Sequence, residues 1–239
     1  MSNDPFRSRY PGRFIVIGQD GVSSVAIYGA TGRSPSSLAR RFVRRDSEIY
    51  MTAIDATVAR EGNAELLEYP AVKVFKNGVV VANGRQIENI TELQSRDAKK
   101  QLNYALSEEA YEPDEYLTPR ITGCIVEISE IGGVRVDGGL HIARSAHNGI
   151  DRSSWTVPFE SGAGLFISTY GGDDVKPTPS FSGDPRPVGL SFGSAQKAAE
   201  SVFASFAPPG GETDYRVGMI AIYKRLGQEP EIAIVNLIS

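Results

Sequence analysis

Residues 14–28 read Phe14-Ile15-Val16-Ile17-Gly18-Gln19-Asp20-Gly21-Val22-Ser23-Ser24-Val25-Ala26-Ile27-Tyr28. The apolar run Phe14 to Gly18 and the run Ser24 to Tyr28 each have the length of a strand, and the turn-forming Gln19-Asp20-Gly21 separates them. This pattern predicts a β-hairpin. Outward from it the strand signal recurs at Glu48 to Ile54, Ala71 to Phe75 and Val79 to Ala82, the last two joined by Lys76-Asn77-Gly78, whose Asn-Gly pair favours a hairpin turn. Further strands are expected at Ile121 to Ile131, Val134 to Ala143, Gly164 to Tyr170, Val217 to Lys224 and Glu231 to Leu237.

Helical spacing is confined to two stretches. Thr91 to Ala110 places Leu93, Ala98, Leu102 and Leu106 on overlapping faces, and Ala195 to Phe206 is the second helix. Ser36 offers a cap for the basic segment Ser37 to Arg45, expected as helix or ordered loop with Arg40, Arg41, Arg44 and Arg45 on a solvated face. Strands and helices come in blocks, which favours stacked antiparallel sheets covered by helices, an α+β class, over a strictly alternating parallel sheet. Gly132-Gly133 and Gly138-Gly139 are expected as hairpin turns. Gly171 to Gly189 carries Pro177, Pro179, Pro185 and Pro187, so it is no central strand; it is a domain linker or a functional loop.

A chain of 239 residues with 41% hydrophobic and 23% charged residues has the composition of an ordinary globular protein, and residues 1–239 are expected as one domain behind a flexible tail at residues 1–9. Its 25 basic and 29 acidic residues leave a charge of -4, which excludes an overall basic field for nucleic acid or an anionic membrane. The single Cys124 lies in an apolar run and builds neither a disulfide nor a metal cluster; a buried, inert thiol is expected. His141 and His147 lack a third ligand at a recognisable metal spacing. The amino terminus lacks the apolar core of a secretory signal and no run reaches membrane-spanning length, so the expected location is cytoplasmic.

Six short blocks follow one another along the chain: Tyr10-Pro11-Gly12-Arg13, Thr31-Gly32-Arg33-Ser34, Tyr69-Pro70-Ala71-Val72-Lys73-Val74-Phe75, Val81-Ala82-Asn83-Gly84-Arg85-Gln86, Thr118-Pro119-Arg120-Ile121 and Thr169-Tyr170-Gly171-Gly172-Asp173. In this order and combination the sequence resembles the archaeal-type IMP cyclohydrolases and their bacterial relatives. The resemblance implies a four-layer αββα sandwich like that of amino-terminal-nucleophile (Ntn) hydrolases. It also implies cyclisation of 5-formamidoimidazole-4-carboxamide ribonucleotide to IMP, with loss of water, in purine biosynthesis. A departure from the hydrolases is that no strand begins with a processed Ser, Thr or Cys; Ser2 lies in a polar stretch well before the first strand. A non-catalytic purine-nucleotide-binding homologue and an Ntn-type amide hydrolase are the alternatives.

That reaction tethers nucleophile and electrophile in one substrate, so it requires orientation and a donor for the formyl oxygen, and needs neither metal nor cofactor. The expected partner is a purine nucleotide monophosphate, with a homo-oligomer also possible. Arg33 beside Ser34 is the first phosphate candidate, the alternative being an ion pair with a surface carboxylate; Arg40, Arg41, Arg44 and Arg45 are read as a solvated face from which one could join the clamp. Asn83 and Gln86 offer amides that match a carboxamide or formamide, although Asn83-Gly84 is also explained as a turn. Arg120, just before a strand, either faces a pocket or forms a buried ion pair. Tyr170 is placed to polarise the formyl oxygen or stack on the imidazole, and Tyr28 sits at a similar strand end; core packing with a satisfied hydroxyl is the alternative for each. Glu127 is the carboxylate expected to face inward, or else the polar face of its strand, and Asp173 joins the substrate-binding set through the last block.

Overall fold

The computed structural model describes residues 4–55, 57 and 67–238. Two antiparallel sheets make up most of it. One has the spatial order β11 (Arg186–Gly189), β10 (Ala163–Ser168), β1 (Arg13–Asp20), β2 (Ser23–Thr31), β12 (Arg216–Lys224) and β13 (Glu231–Asn236). The other runs in chain order through β3 (Arg40–Arg45), β4 (Glu48–Ala53), β5 (Tyr69–Phe75), β6 (Gly78–Ala82), β7 (Arg120–Glu130), β8 (Gly133–Ala146) and β9 (Gly149–Val157). The hairpin of β1 and β2 pairs Ile15 with Tyr28 and Val16 with Ile27, turning at Gly21 in the left-handed region.

Strand residues alternate between two faces, and here both faces are covered, which is why β1 and β2 read as continuous apolar runs. Ile15, Ile17 and Tyr28 pack inward against Val79, Ile121, Ile125 and Leu140 of the second sheet. Phe14, Val16, Ile27 and Phe166 pack outward with Ala198, Ala199 and Val202 of a helix at Ala195–Ser205. On the far side Val80, Cys124 and Val126 pack against Ala98, Leu102 and Leu106 of the helix Ala98–Ala105 and its exit. Counting a short helix at Pro35–Leu38 as α1, these are α3 and α2, and the layers run α3, sheet, sheet, α2. Each fully buried Val, Ile or Phe contributes roughly 1.5–3 kcal/mol. The sheets approach closely at Gly123, where a Cβ would lie 2.8 Å from the Ile15 side chain. Among the described residues no helix is long and apolar enough to cross a membrane.

Several expectations need correction. The segment expected as helix or loop at Ser37 to Arg45 is mostly β3. Arg40 and Phe42 alternate inward there, Phe42 packs on Tyr28, and the Asn236 side chain accepts from the Phe42 N–H at 2.8 Å and donates to its carbonyl at 3.0 Å. The basic residues hid this period-two pattern. The helix expected over 91–110 is only α2, starting where Asp97 accepts from the Lys100 N–H at 2.9 Å, while Ile90 and Leu93 fill the same core from chain ahead of it. Gly138-Gly139 lies inside β8 rather than at a turn, beside Ile17 and Ala98 of the layers on either side. Within the stretch expected as a tail, residues 1–3 lie outside the described residues, but Pro5–Arg7 forms a 3-10 turn whose Phe6 is buried edge-on against Phe14 and Phe166. The proline-rich segment holds β11, an edge strand in which Pro187 sits opposite Leu165, where a missing N–H costs no central ladder bond.

Candidate active site

At one end of the sandwich, where β1 and β3 begin and β10 runs out, a cavity of about 220 Å³ is lined by Tyr10, Arg13, Arg33, Ser34, Ser37, Arg40, Glu112, Asp114, Thr118 and Tyr170 among others. Backbone bonds bring these segments together. Tyr10 N–H donates to Gly172 O at 2.8 Å, Tyr170 N–H to Pro11 O at 3.1 Å, and Arg13 N–H to the Thr169 hydroxyl at 3.1 Å. Gly12 makes this approach possible. Its φ is 73°, and a Cβ there would stand 2.2 Å from Thr169 Oγ1 and 2.6 Å from the Tyr170 ring. The rings of Tyr10 and Tyr170 stack, with centroids 5.7 Å apart.

Three buried charges form the cavity's inner wall: Arg13, Arg40 and Glu112. Burial lifts the Glu112 carboxyl to about 7, the charges of Arg13, Arg120 and Arg40 holding it below where burial alone would put it. Burial, reinforced by the charge of Arg13, lowers Arg40 to about 10. Burial is the largest single influence on Arg13 and opposes its charge, but Glu112 together with Tyr69, Tyr28 and Tyr10 outweighs it and raises Arg13 above the usual guanidinium value. Arg13 Nε has no hydrogen-bond partner among the described residues. Two guanidinium groups held near each other out of water, with one donor unused, form a receptor for an anion or a polarised oxygen.

Glu112 is fixed from behind. Its carboxylate accepts from Asn83 Nδ2 at 3.0 Å and its N–H donates to Thr118 O at 2.8 Å. Asn83 in turn donates to Pro119 O at 2.9 Å, and its Oδ1 accepts from Ile121 N–H at 2.7 Å and Gln86 Nε2 at 3.0 Å. A second cavity of about 30 Å³, lined by Tyr69, Asn83, Gly84, Arg85, Glu112, Pro113 and Arg120, lies on the other side of Glu112. Thr118 donates to Asp114 Oδ2 at 2.6 Å, so the Tyr170 hydroxyl, 2.8 Å from Thr118 Oγ1, gives its own proton to that oxygen. Burial pushes the Tyr170 phenol up to about 12.

Of the residues expected at the site, Arg33, Ser34 and Tyr170 line the larger cavity. Ser34 caps α1, accepting from Ser37 N–H at 3.1 Å. Tyr28 lines neither cavity; it is fully buried with its hydroxyl 2.8 Å from that of Tyr69, and burial raises its pKa well above the ordinary phenol value. Asn83 and Arg120 border the smaller cavity, Arg120 also pairing with Glu109, and Gln86 is a buried brace between Asn83 and Ile121 O. Two residues stand elsewhere. Glu127 pairs with the buried Lys224 at 3.0 Å, seven positions along β7 from Arg120, as a clasp between the sheets. Asp173 is exposed and borders a different surface cavity with Arg9 and Arg186; its neighbour Asp174 is the carboxylate that reaches Arg33. His141 is buried, bonded through Nδ1 to the Ser154 hydroxyl at 2.7 Å, and burial lowers it to about 4. No group of three or more His, Cys, Asp or Glu among the described residues has a metal-holding arrangement.

Glu112, Arg13 and Arg40 were not singled out from sequence. Arg13 stood in the Tyr10-Pro11-Gly12-Arg13 block, which was the available signal; Arg40 was read with Arg41, Arg44 and Arg45 as a solvated face, one member of which could join a phosphate clamp; nothing local distinguishes Glu112 in Tyr111-Glu112-Pro113-Asp114 from other acidic loop residues.

Comparison with known proteins bears on this cavity. The chain is 32% identical over 130 residues to the IMP cyclohydrolase of Haloquadratum walsbyi, covering 54% of this chain and 63% of that protein. It is 37% identical over 134 residues to that of Natronomonas pharaonis, covering 54% and 64%. With the IMP cyclohydrolase of Methanocaldococcus jannaschii it shares 28% identity over 161 residues, 67% of this chain and 73% of the relative. The match thus spans a little under two thirds of the length of the first two of these relatives. A family model described as IMP cyclohydrolase-like protein matches residues 10–227, a span that takes in both sheets through β12 and every residue named on the cavity wall, and the chain belongs to that family.

Proposed function

We propose that this chain closes the second purine ring, converting 5-formamidoimidazole-4-carboxamide ribonucleotide to IMP and water. One observation carries the reading: a buried carboxyl poised near neutrality, Glu112, shares a cavity with Arg13 and Arg40, and Arg33 stands at its rim. A carboxyl at about 7 is matched to taking and returning a proton at physiological pH.

In this reading the nucleotide phosphate rests at Arg33 and the hydroxyls of Ser34 and Ser37, and the heterocycle lies inward along the Tyr10 and Tyr170 rings. Ionised Glu112 takes a proton from the carboxamide nitrogen as that nitrogen bonds to the formyl carbon. The negative charge that develops on the formyl oxygen is met by Arg13 and Arg40, whose donors are already in place and need no reorganisation. Glu112 then passes its proton to that oxygen. The carbon–oxygen bond breaks as the formamido nitrogen gives up the second proton and forms the ring double bond, so water leaves and Glu112 returns to its starting state. Asn83 keeps the carboxylate aimed, and Tyr170, its proton committed to Thr118, serves as a wall for the ring rather than as the acid. The test is to incubate the folded chain with the formamido ribonucleotide and follow formation of IMP. Binding of the nucleotide with no turnover would favour a binding homologue instead.

A further inference from the structure

Arg33 belongs to the cavity rim, yet its guanidinium is held by the segment that follows Tyr170. Asp174 Oδ1 and the Val175 carbonyl each lie 3.4 Å from Nη1, the Thr178 hydroxyl accepts from Nη2, and the guanidinium sits 4.3 Å from the centroid of the Tyr10 ring. The other Asp174 oxygen accepts from the Tyr215 hydroxyl at 2.9 Å. The ends of this segment are secured: Gly172 O accepts from Tyr10 N–H, Phe181 N–H donates to Thr169 O at 3.1 Å, and Asp184 accepts from Trp155 Nε1 at 3.2 Å. Residues 173–177 between them are exposed.

Among the described residues Arg7–Asp4 at 3.8 Å and Arg135–Asp137 at 3.7 Å are loose pairs, whereas two arginine–aspartate pairs are tight. Arg144 reaches Asp151 through two nitrogens at 2.8 and 2.6 Å, and Arg216 reaches Asp214 through two at 2.9 and 2.6 Å. Arg33 touches Asp174 through one nitrogen at 3.4 Å, a geometry that leaves the pair replaceable. A phosphate monoester at neutral pH and above carries nearly two charges and three acceptor oxygens, more than a carboxylate offers to the same guanidinium.

We propose that Asp174 is a built-in occupant of the anion position on Arg33, displaced by the phosphate of an incoming nucleotide, and that it thereby weakens the binding of every anion that must take its place. This rests on the nucleotide reading of the cavity. The cost of moving Asp174 aside is the same for a monoanion and a dianion. Asp174 therefore sets the affinity threshold at Arg33, while the second charge of the phosphate itself favours the dianion.

The experiment is calorimetric titration of the full chain at about pH 8 with inosine 5′-monophosphate and with its 5′-monomethyl phosphate ester, which carries one charge. The wild type is expected to bind the monophosphate several-fold tighter than the ester. Asp174→Asn is expected to bind the monophosphate tighter by about two- to fivefold, the worth of an exposed ion pair, and the ester tighter by that factor or less. Tyr215→Phe removes one tether of Asp174 while keeping the ring and the charge, and shifts both affinities the same way by a smaller factor. It decides the matter if Asp174→Asn does not fold. Equal or weaker binding by both variants overturns the proposal while leaving the nucleotide reading intact. Failure of the wild type to bind inosine 5′-monophosphate overturns both.

Discussion

Asn83 donates to Glu112 across 3.0 Å in the buried wall between the two cavities, while its carbonyl oxygen takes the Ile121 N–H at 2.7 Å. One side chain thus ties the start of β7, the brace Gln86 and the central carboxyl together. Asn83→Ala leaves several buried polar groups without partners at once, and is expected to cost about 3 kcal/mol or more in urea unfolding. A loss under about 1 kcal/mol would show that water or a neighbour replaces the amide readily.

The raised pKa of Glu112 ties stability to pH. In the folded state the carboxyl binds a proton up to about 7, whereas in the unfolded chain it releases it near 4.3, so the native state holds the extra proton between these values. Stability contributed by this group is therefore full below about pH 4 and is lost as pH rises through about 7, in total by roughly 4 kcal/mol. Glu112→Gln should lack this slope. Denaturant midpoints for the two proteins measured from pH 5 to 8 should diverge in favour of the variant as pH rises. Parallel curves would mean that Glu112 titrates normally.

Lys224 and Glu127 face each other between the sheets, 4% and 11% exposed, with Lys224 also donating to Gln228 O at 2.9 Å. Lys224→Met strands a buried carboxylate and is expected to cost about 3–5 kcal/mol, and Lys224→Met combined with Glu127→Leu to recover most of it. Because the pair stands apart from the cavity, the double variant should keep the nucleotide affinity of the parent, measured by calorimetry. A large loss of affinity in a folded double variant would return Glu127 to the site.

The hairpin of β1 and β2 and most other strands were legible because apolar runs of strand length are bounded by glycine-containing turns. β3 was not, because Arg40 and Arg41 imitate a solvated stretch while Arg40 and Phe42 in fact alternate inward under the cover of the opposite sheet. Nor was the length of α2, since Ile90 and Leu93 serve the helix-side core from outside a helix. Arg33, Ser34 and Tyr170, which line the cavity, stood out in the sequence through short blocks that lie at strand ends. Glu112 was not, because what makes it unusual is burial among Arg13, Arg40 and Asn83, which come from distant parts of the chain and leave no local pattern. Glu127 misled for the opposite reason: it does turn inward, but toward Lys224 from β12.

The most direct measurement is the pH dependence of kcat/KM for conversion of the formamido ribonucleotide to IMP by the wild type and by Glu112→Gln. The wild-type value should rise with pH through an apparent pKa near 7, as Glu112 ionises, and Glu112→Gln should lose this limb and fall by about 100-fold or more. A folded Glu112→Gln protein that turns over at the wild-type rate with the same pH profile would contradict the assignment of Glu112 as the group that moves the proton.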